Sequence, residues 1–207
     1  VNYINLSVVV LLQKLQPLFA ISLASVILKE KISKKFLFLA SAAIIGSFLV
    51  TFGLQPLSEW GDKTIIASLF ALLAAFSWGS STVIGKYALK NLSFQLVTSL
   101  RLIITAAICL IIIIGTEDLQ VIVALTKPQW LFIFLISIST GSIALFIYYY
   151  GLKNLPASHA TLYELFWPLS AMFIDWFFRS RTLELAQIIG AILLLGSTIL
   201  LTRDNND

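Results

Sequence analysis

Charge, cysteine and histidine are all scarce in this chain. Of 207 residues, 12% are charged, one is cysteine and one is histidine. An ordinary soluble domain carries about 25% charged residues, so a charge-rich solvated surface is excluded. The single cysteine, Cys109, lies in the apolar run 102–114. It cannot form a disulfide within one chain and reads as lipid- or core-facing filler. One histidine and one cysteine, with no paired intramembrane aspartates, leave no zinc or redox site, and no cofactor is implied. A membrane-embedded enzyme would need a nucleophile with its base or a metal constellation, and neither is present. The net charge is +4, but the basic residues cluster in short loops, which argues against a nucleic-acid partner. Proline occurs five times, at 17, 56, 128, 156 and 168. Two of these, Pro17 and Pro168, fall inside apolar segments.

What fills the chain instead is apolar sequence. It is 59% hydrophobic, with a mean hydropathy of +0.96, as expected of an all-α polytopic membrane protein whose surroundings are the lipid bilayer. Roughly 20 apolar residues span a bilayer. Seven stretches qualify, at 5–28, 36–54, 65–86, 94–114, 130–150, 157–178 and 183–202. Trp60, Trp130, Tyr148 to Tyr150 and Trp176 fall near segment ends, where amphipathic rings favour the interface. The 29–35 loop holds four lysines, the strongest topogenic signal. Placing it in the cytoplasm puts Lys86, Lys90, Lys153 and Arg203 there too, against Lys63, Lys127, Arg179 and Arg181 outside. The carboxyl end is then cytoplasmic. Segment seven has no lysine for a retinal Schiff base, which argues against a seven-helix photoreceptor.

The two mid-segment prolines form a matched pair. Gln13-Lys14-Leu15-Gln16-Pro17-Leu18 and Glu164-Leu165-Phe166-Trp167-Pro168-Leu169 each carry a proline with a polar side chain, Gln13 or Glu164, four residues before it. A helical proline cannot bond the carbonyl four positions back, so each helix should kink and free that oxygen. Within a membrane a freed carbonyl is tolerated where protein or a water-lined cavity receives it. The copies lie 151 residues apart, and Ser7, Leu11 and Ala20 match Ser158, Leu162 and Ala171 at the same spacing. Gly46-Ser47 matches Gly196-Ser197 with a one-residue slip. Segments one and two thus repeat as six and seven. A shift of five segments, an odd number, inverts the copies in the membrane, which is how many transporters are built. Segments three to five lack first-half partners, so the start at Val1 reads as a truncation of a ten-helix protein.

A charge at the bilayer centre costs at least about 2.5–3.5 kcal/mol on insertion scales, which makes each one a candidate functional group. Four fall inside segments: Lys14, Arg101, Glu164 and Asp175. Asp175, close to a segment end and beside Trp176, reads as interfacial. Glu164 lies about 10 Å into its helix at 1.5 Å per residue, and Arg101 at a similar depth from the same side. Lys14 enters from the opposite face and comes within reach of Glu164. A Glu–Arg or Glu–Lys couple broken by substrate or by a proton would serve as a coupling element; a fixed structural ion pair is the alternative, and Arg101 can also snorkel to headgroups. Gln13, Gln16 and Tyr163 can line the same cavity with neutral hydrogen-bonding groups or join helices. His159 should cap a cytoplasmic helix start. Trp78 and Trp167 read as packing rather than substrate contacts.

These segments also resemble the EamA-type permeases of the drug/metabolite transporter superfamily. Leu15-Gln16-Pro17-Leu18-Phe19-Ala20, with Leu28-Lys29-Glu30-Lys31-Ile32-Ser33, resembles that family's fourth helix and its acidic terminus. Ala40 to Gly46 resembles the small-residue fifth helix, and Ala74-Ala75-Phe76-Ser77-Trp78-Gly79-Ser80-Ser81 the Trp-Gly-Ser signature opening the second repeat. Leu100-Arg101-Leu102 resembles the arginine-containing helix after it. Gly151-Leu152-Lys153-Asn154 through Trp167-Pro168-Leu169 resembles the eighth-to-ninth helix region. One departure is clear: Arg179-Ser180-Arg181 stands where the ninth helix should end in an acidic residue. The resemblance implies ten helices in two inverted five-helix repeats: residues 1–54 as the last two helices of the first, 55–64 as linker, and 65–203 as the second. It implies a secondary transporter that moves a small metabolite, such as an amino acid or drug-like compound, by alternating access, with a proton as a possible coupling ion. Nothing in the pattern specifies an oligomer. The competing reading is a truncated fragment that folds but does not transport.

Overall fold

The computed structural model describes residues 12–54, 64–115, 125–179 and 184–204. Ser7, Leu11, Trp60, Lys63, most of the 55–64 linker, Ser180 and Arg181 lie outside the described residues, as do the side chains of Asp175 and Arg179. Helix accounts for nearly all of what is described, with no strand among the described residues. We label the helices α1 (Gln16–Leu28), α2 (Lys34–Phe52), α3 (Thr64–Ala88), α4 (Phe94–Gly115), α5 (Lys127–Asn154), α6 (Ala157–Tyr163), α7 (Phe166–Arg179) and α8 (Leu185–Asp204). With α6 and α7 as halves of one broken segment, these are the seven apolar stretches expected from the sequence. Lys34–Phe52, Ser68–Ala88, Phe94–Gly115 and Lys127–Asn154 are each long and apolar enough to cross a membrane. The protein is a multi-pass membrane protein.

Local chemistry fixes the helix ends. Ser33 caps α2, its Oγ accepting from Phe36 N at 3.0 Å. Gly53, at φ 61°, closes the helix by donating to Leu49 O at 2.8 Å; this left-handed backbone suits glycine at a helix end. Thr126 and Gln129 form a capping box at the start of α5. The last turn of α1, Ala24–Leu28, widens into a π-helix, and Lys29 follows in the left-handed region at φ 58°.

The chain divides into two compact units, one of residues 1–84 and 156–207 and the other of residues 85–155. In the first, α2 packs closely on α8. A Cβ on Gly46 would meet Gly190 O and Leu194 N at 2.7 Å. One on Gly190 would meet Leu49 Cβ at 2.6 Å and Val50 N at 2.8 Å. Bare backbones therefore touch, the small-residue packing that serves where water supplies no driving force between helices. Residue numbers rise along one helix as they fall along the other, so the pair is antiparallel. Leu39, Ala43, Gly46, Ser47 and Val50 are buried on α2, and Gly190, Leu194, Ser197, Thr198 and Leu201 on α8. Each α8 residue is 151 positions beyond its α2 counterpart, the proline spacing itself. Burial thus removes the one-residue slip: Ser197, not the exposed Gly196, is the counterpart of Gly46.

Glu30, just past α1, reaches the start of α6. Its carboxylate accepts from Ala157 N at 2.7 Å, Ser158 N at 3.1 Å and Ser158 Oγ at 2.5 Å. The two backbone groups are orphan donors of a helix start, bonded to a charged acceptor, and the Ser158 hydroxyl adds a third bond. His159 stands at this end, with its ring 4.9 Å from that of Phe36 and Nδ1 3.4 Å from Ser158 Oγ. Replacing Glu30 with alanine should cost about 1–2 kcal/mol, the scale of a lost helix cap. Thermal unfolding in detergent would read this as a lower midpoint, and an unchanged midpoint would remove Glu30 from the list of stabilising contacts.

In the second unit, Tyr149 of α5 is 2% exposed and sits so close to Gly85 that a Cβ there would meet its hydroxyl at 2.7 Å. Arg101 of α4 donates to that hydroxyl at 3.0 Å. Lys86 donates to Leu152 O at 2.9 Å and Lys153 O at 2.8 Å, placing a cation at the negative end of α5.

Candidate functional site

Both proline segments break where their sequences require. Lys14-Leu15 and Glu164-Leu165 leave the helix for one tight turn, and α1 and α7 resume just before Pro17 and Pro168. Leu15 N bonds Leu12 O at 3.1 Å, and Leu165 N bonds Leu162 O at 3.1 Å. Both are three-residue closures in place of the four-residue helical bond. Pro17 occupies the first turn of α1, where its missing N–H costs no helical hydrogen bond.

The two breaks meet at one cavity of about 510 Å³. The α1 side contributes Gln13, Lys14 and Gln16; the other break contributes Thr161, Tyr163, Glu164, Leu165 and Trp167; Trp78 of α3 completes the lining. Gly79 explains how α3 reaches it. A Cβ on that glycine would lie 3.0 Å from Gln16 O and Ala20 N, so the Trp-Gly pair brings α3 onto the first turn of α1 and sets Trp78 beside the break. Five expected residues, Gln13, Lys14, Gln16, Tyr163 and Glu164, are brought together here. Arg101 belongs to the other unit and bonds Tyr149 there.

Across the cavity, Gln16 Nε2 donates to Glu164 Oε2, and Thr82 Oγ1 donates to Glu164 Oε1 at 3.4 Å. Lys14 is differently placed. It is 5% exposed, and its Nζ has no hydrogen-bond partner among the described residues. What faces it is the ring of Trp167, with the centroid 4.4 Å away. A desolvated cation–π contact contributes roughly 2 kcal/mol, whereas removing an ammonium from water costs several. Trp167 therefore offsets only part of the cost of holding Lys14 dry. Thr161, 1% exposed, likewise has on this lining an Oγ1 with no hydrogen-bond partner among the described residues. Two buried donors without acceptors among the described residues, and a carboxylate that accepts from Gln16 and Thr82, thus surround one space with two indole rings. Such a site suits a ligand with acceptor oxygens and a flat apolar body.

Sequence reading missed Thr161 and Thr82 and assigned Trp78 and Trp167 to packing. Thr161 stands three residues before Glu164, close to one helical turn, so helical spacing is the signal that would have found it.

The comparisons with known proteins agree with this architecture. The chain is 41% identical over 206 residues to the riboflavin transporter ImpX of Fusobacterium nucleatum, covering 99% of this chain and 69% of that protein. It is 24% identical over 180 residues to the uncharacterized transporter YoaV of Bacillus subtilis, covering 86% of this chain and 60% of that one. A solved crystal structure with 16% identity superposes at a TM-score of 0.74 over 97% of this chain and 69% of its own. The fold is thus one already seen by experiment. The EamA-like transporter family matches residues 1–52 and 65–203, taking in both broken helices, the Trp-Gly segment between them and the glycine-packed α2–α8 pair. On that match, the chain belongs to the EamA-like transporter family.

Proposed function

We propose that the protein is a secondary transporter that carries riboflavin or a close flavin analogue across the cell membrane by alternating access. The observation that carries this reading is the cavity where the two helix breaks meet. Its volume of about 510 Å³ lies in the range that encloses small organic ligands, about 300–1,000 Å³. Its lining pairs indole rings with a few polar groups, as a tricyclic ring bearing carbonyls and a polyol tail requires. The name of the 41% identical relative supplies the substrate. Glu164 is the proposed coupling residue, exchanging its Gln16 and Thr82 contacts for substrate or a proton. The lysine-rich 29–35 segment and the carboxyl end face the cytoplasm in this reading. Residues 1–54 are the last two helices of one repeat and 65–203 the second repeat.

A second reading has one specific observation behind it. Lys14 and Glu164 put both signs of charge on one cavity, which also suits a zwitterionic amino acid. Uptake of labelled riboflavin into proteoliposomes, with and without a pH gradient, separates the two. The flavin reading expects saturable uptake, unaffected by excess amino acids and blocked by unlabelled riboflavin. Uptake of an amino acid with none of riboflavin would overturn it.

A further inference from the structure

Taking the flavin reading as its premise, we infer that Lys14 is the specificity residue of the cavity: its ammonium receives a carbonyl oxygen of the flavin pyrimidinedione ring. Three observations lead there. Lys14 Nζ is buried and without a hydrogen-bond partner among the described residues, although it lines a cavity. The Trp167 face, 4.4 Å from the nitrogen, holds the ammonium from one side only and leaves its N–H bonds to be used elsewhere, since an aromatic face accepts charge but is a poor hydrogen-bond acceptor. Thr161, whose buried Oγ1 on the lining also has no hydrogen-bond partner among the described residues, is a second donor. The cavity therefore has donors in excess at this wall, and the ligand must bring the acceptors. Flavin carries its two carbonyls on one ring, at its polar end. The carboxylate of Glu164, already accepting from Gln16 and Thr82, is suited to the ring N–H between those carbonyls. Lys14 is thus placed to discriminate by the oxygen it meets, and a ligand without that oxygen leaves a buried ammonium bare.

The test uses riboflavin, 2-thioriboflavin and 4-thioriboflavin with the protein in detergent, binding being read by isothermal titration calorimetry. Sulfur keeps the ring shape but is a weak acceptor, so the wild-type protein is probed without any mutation. One of the two thio analogues should bind at least about tenfold more weakly than riboflavin, the scale of a lost hydrogen bond to a charged group. Lys14→Met should lose riboflavin affinity by at least that factor and bind riboflavin and the discriminated analogue alike. Its melting temperature should stay level or rise, because it removes an unpartnered buried charge; a merely structural lysine would lower it. Wild-type affinity in Lys14→Met, or equal binding of all three flavins by the wild-type protein, overturns the inference and leaves the flavin reading standing. Absence of riboflavin binding by the wild-type protein overturns both.

Discussion

Glu164→Gln should abolish substrate accumulation while leaving the protein inserted and folded. Glutamine keeps the size of glutamate. Its one carbonyl oxygen can still accept from Gln16 and its amide NH2 can donate to the Thr82 hydroxyl, so the break between α6 and α7 keeps its shape. What disappears is the charge. Hydrogen bonds to a charged group contribute about 1.5–3 kcal/mol, so losing that charge weakens substrate contact by roughly ten- to a hundredfold at 1.4 kcal/mol per factor of ten. A coupling residue loses more, because an amide cannot take up and release a proton. Two kinetic readouts on proteoliposomes separate these effects. Uptake driven by a pH gradient should vanish, whereas exchange of internal for external substrate, which needs no net proton movement, should survive at reduced affinity. Gradient-driven uptake at wild-type rates across pH would end the coupling role of Glu164.

Gly190→Leu should be the most destabilising single change described for this fold. The new Cβ would lie within 2.8 Å of Leu49 Cβ, Gly46 O and Val50 N. Two of those three atoms are backbone and cannot rotate aside. The α2–α8 pair must then separate, and lipid tails offer nothing to hold it, since dispersion at close contact is its main attraction. Overpacking a core costs about 1–3 kcal/mol where side chains can shift; with rigid backbone opposite, the cost belongs at or above the top of that range. Gly190→Ala should lie between, and Gly196→Leu supplies the control, because nothing stands within 4 Å of a Cβ there. Thermal unfolding in detergent should rank them with Gly190→Leu lowest and Gly196→Leu near wild type. A wild-type midpoint for Gly190→Leu would mean that the helices do not touch as described.

The spans and the breaks were legible because both are written in strong local signals. About 20 apolar residues make a span, and a proline within one stops the hydrogen-bond ladder wherever the chain folds. Lys14 and Glu164 stood out for the same reason, a charge in apolar sequence being conspicuous. Their partners were not legible. Thr82 and Thr161 are neutral hydroxyls in apolar runs, where such a group can bond its own helix, as Thr98 does with Phe94 O at 2.7 Å. Only the helical spacing of Thr161 from Glu164 sets it apart; Thr82 has no such mark, and its Oγ1 also stands 3.4 Å from Trp78 O of its own helix. Trp78 and Trp167 were hidden by a different ambiguity, since an indole packs equally well against helix, lipid or ligand. Whether Gln16 or Lys14 would meet Glu164 depended on the rotation of α1 about its axis, which Gly79 helps set from a distant part of the chain.

The 151-residue register shared by the buried faces of α2 and α8 has one more consequence. A helix resting antiparallel on its own copy is related to it by a two-fold axis, and that axis runs through their contact, near Ala43 and Leu194. The glycine contact lies close to that axis, so the shared register of the buried faces and the close approach of the two backbones have one centre.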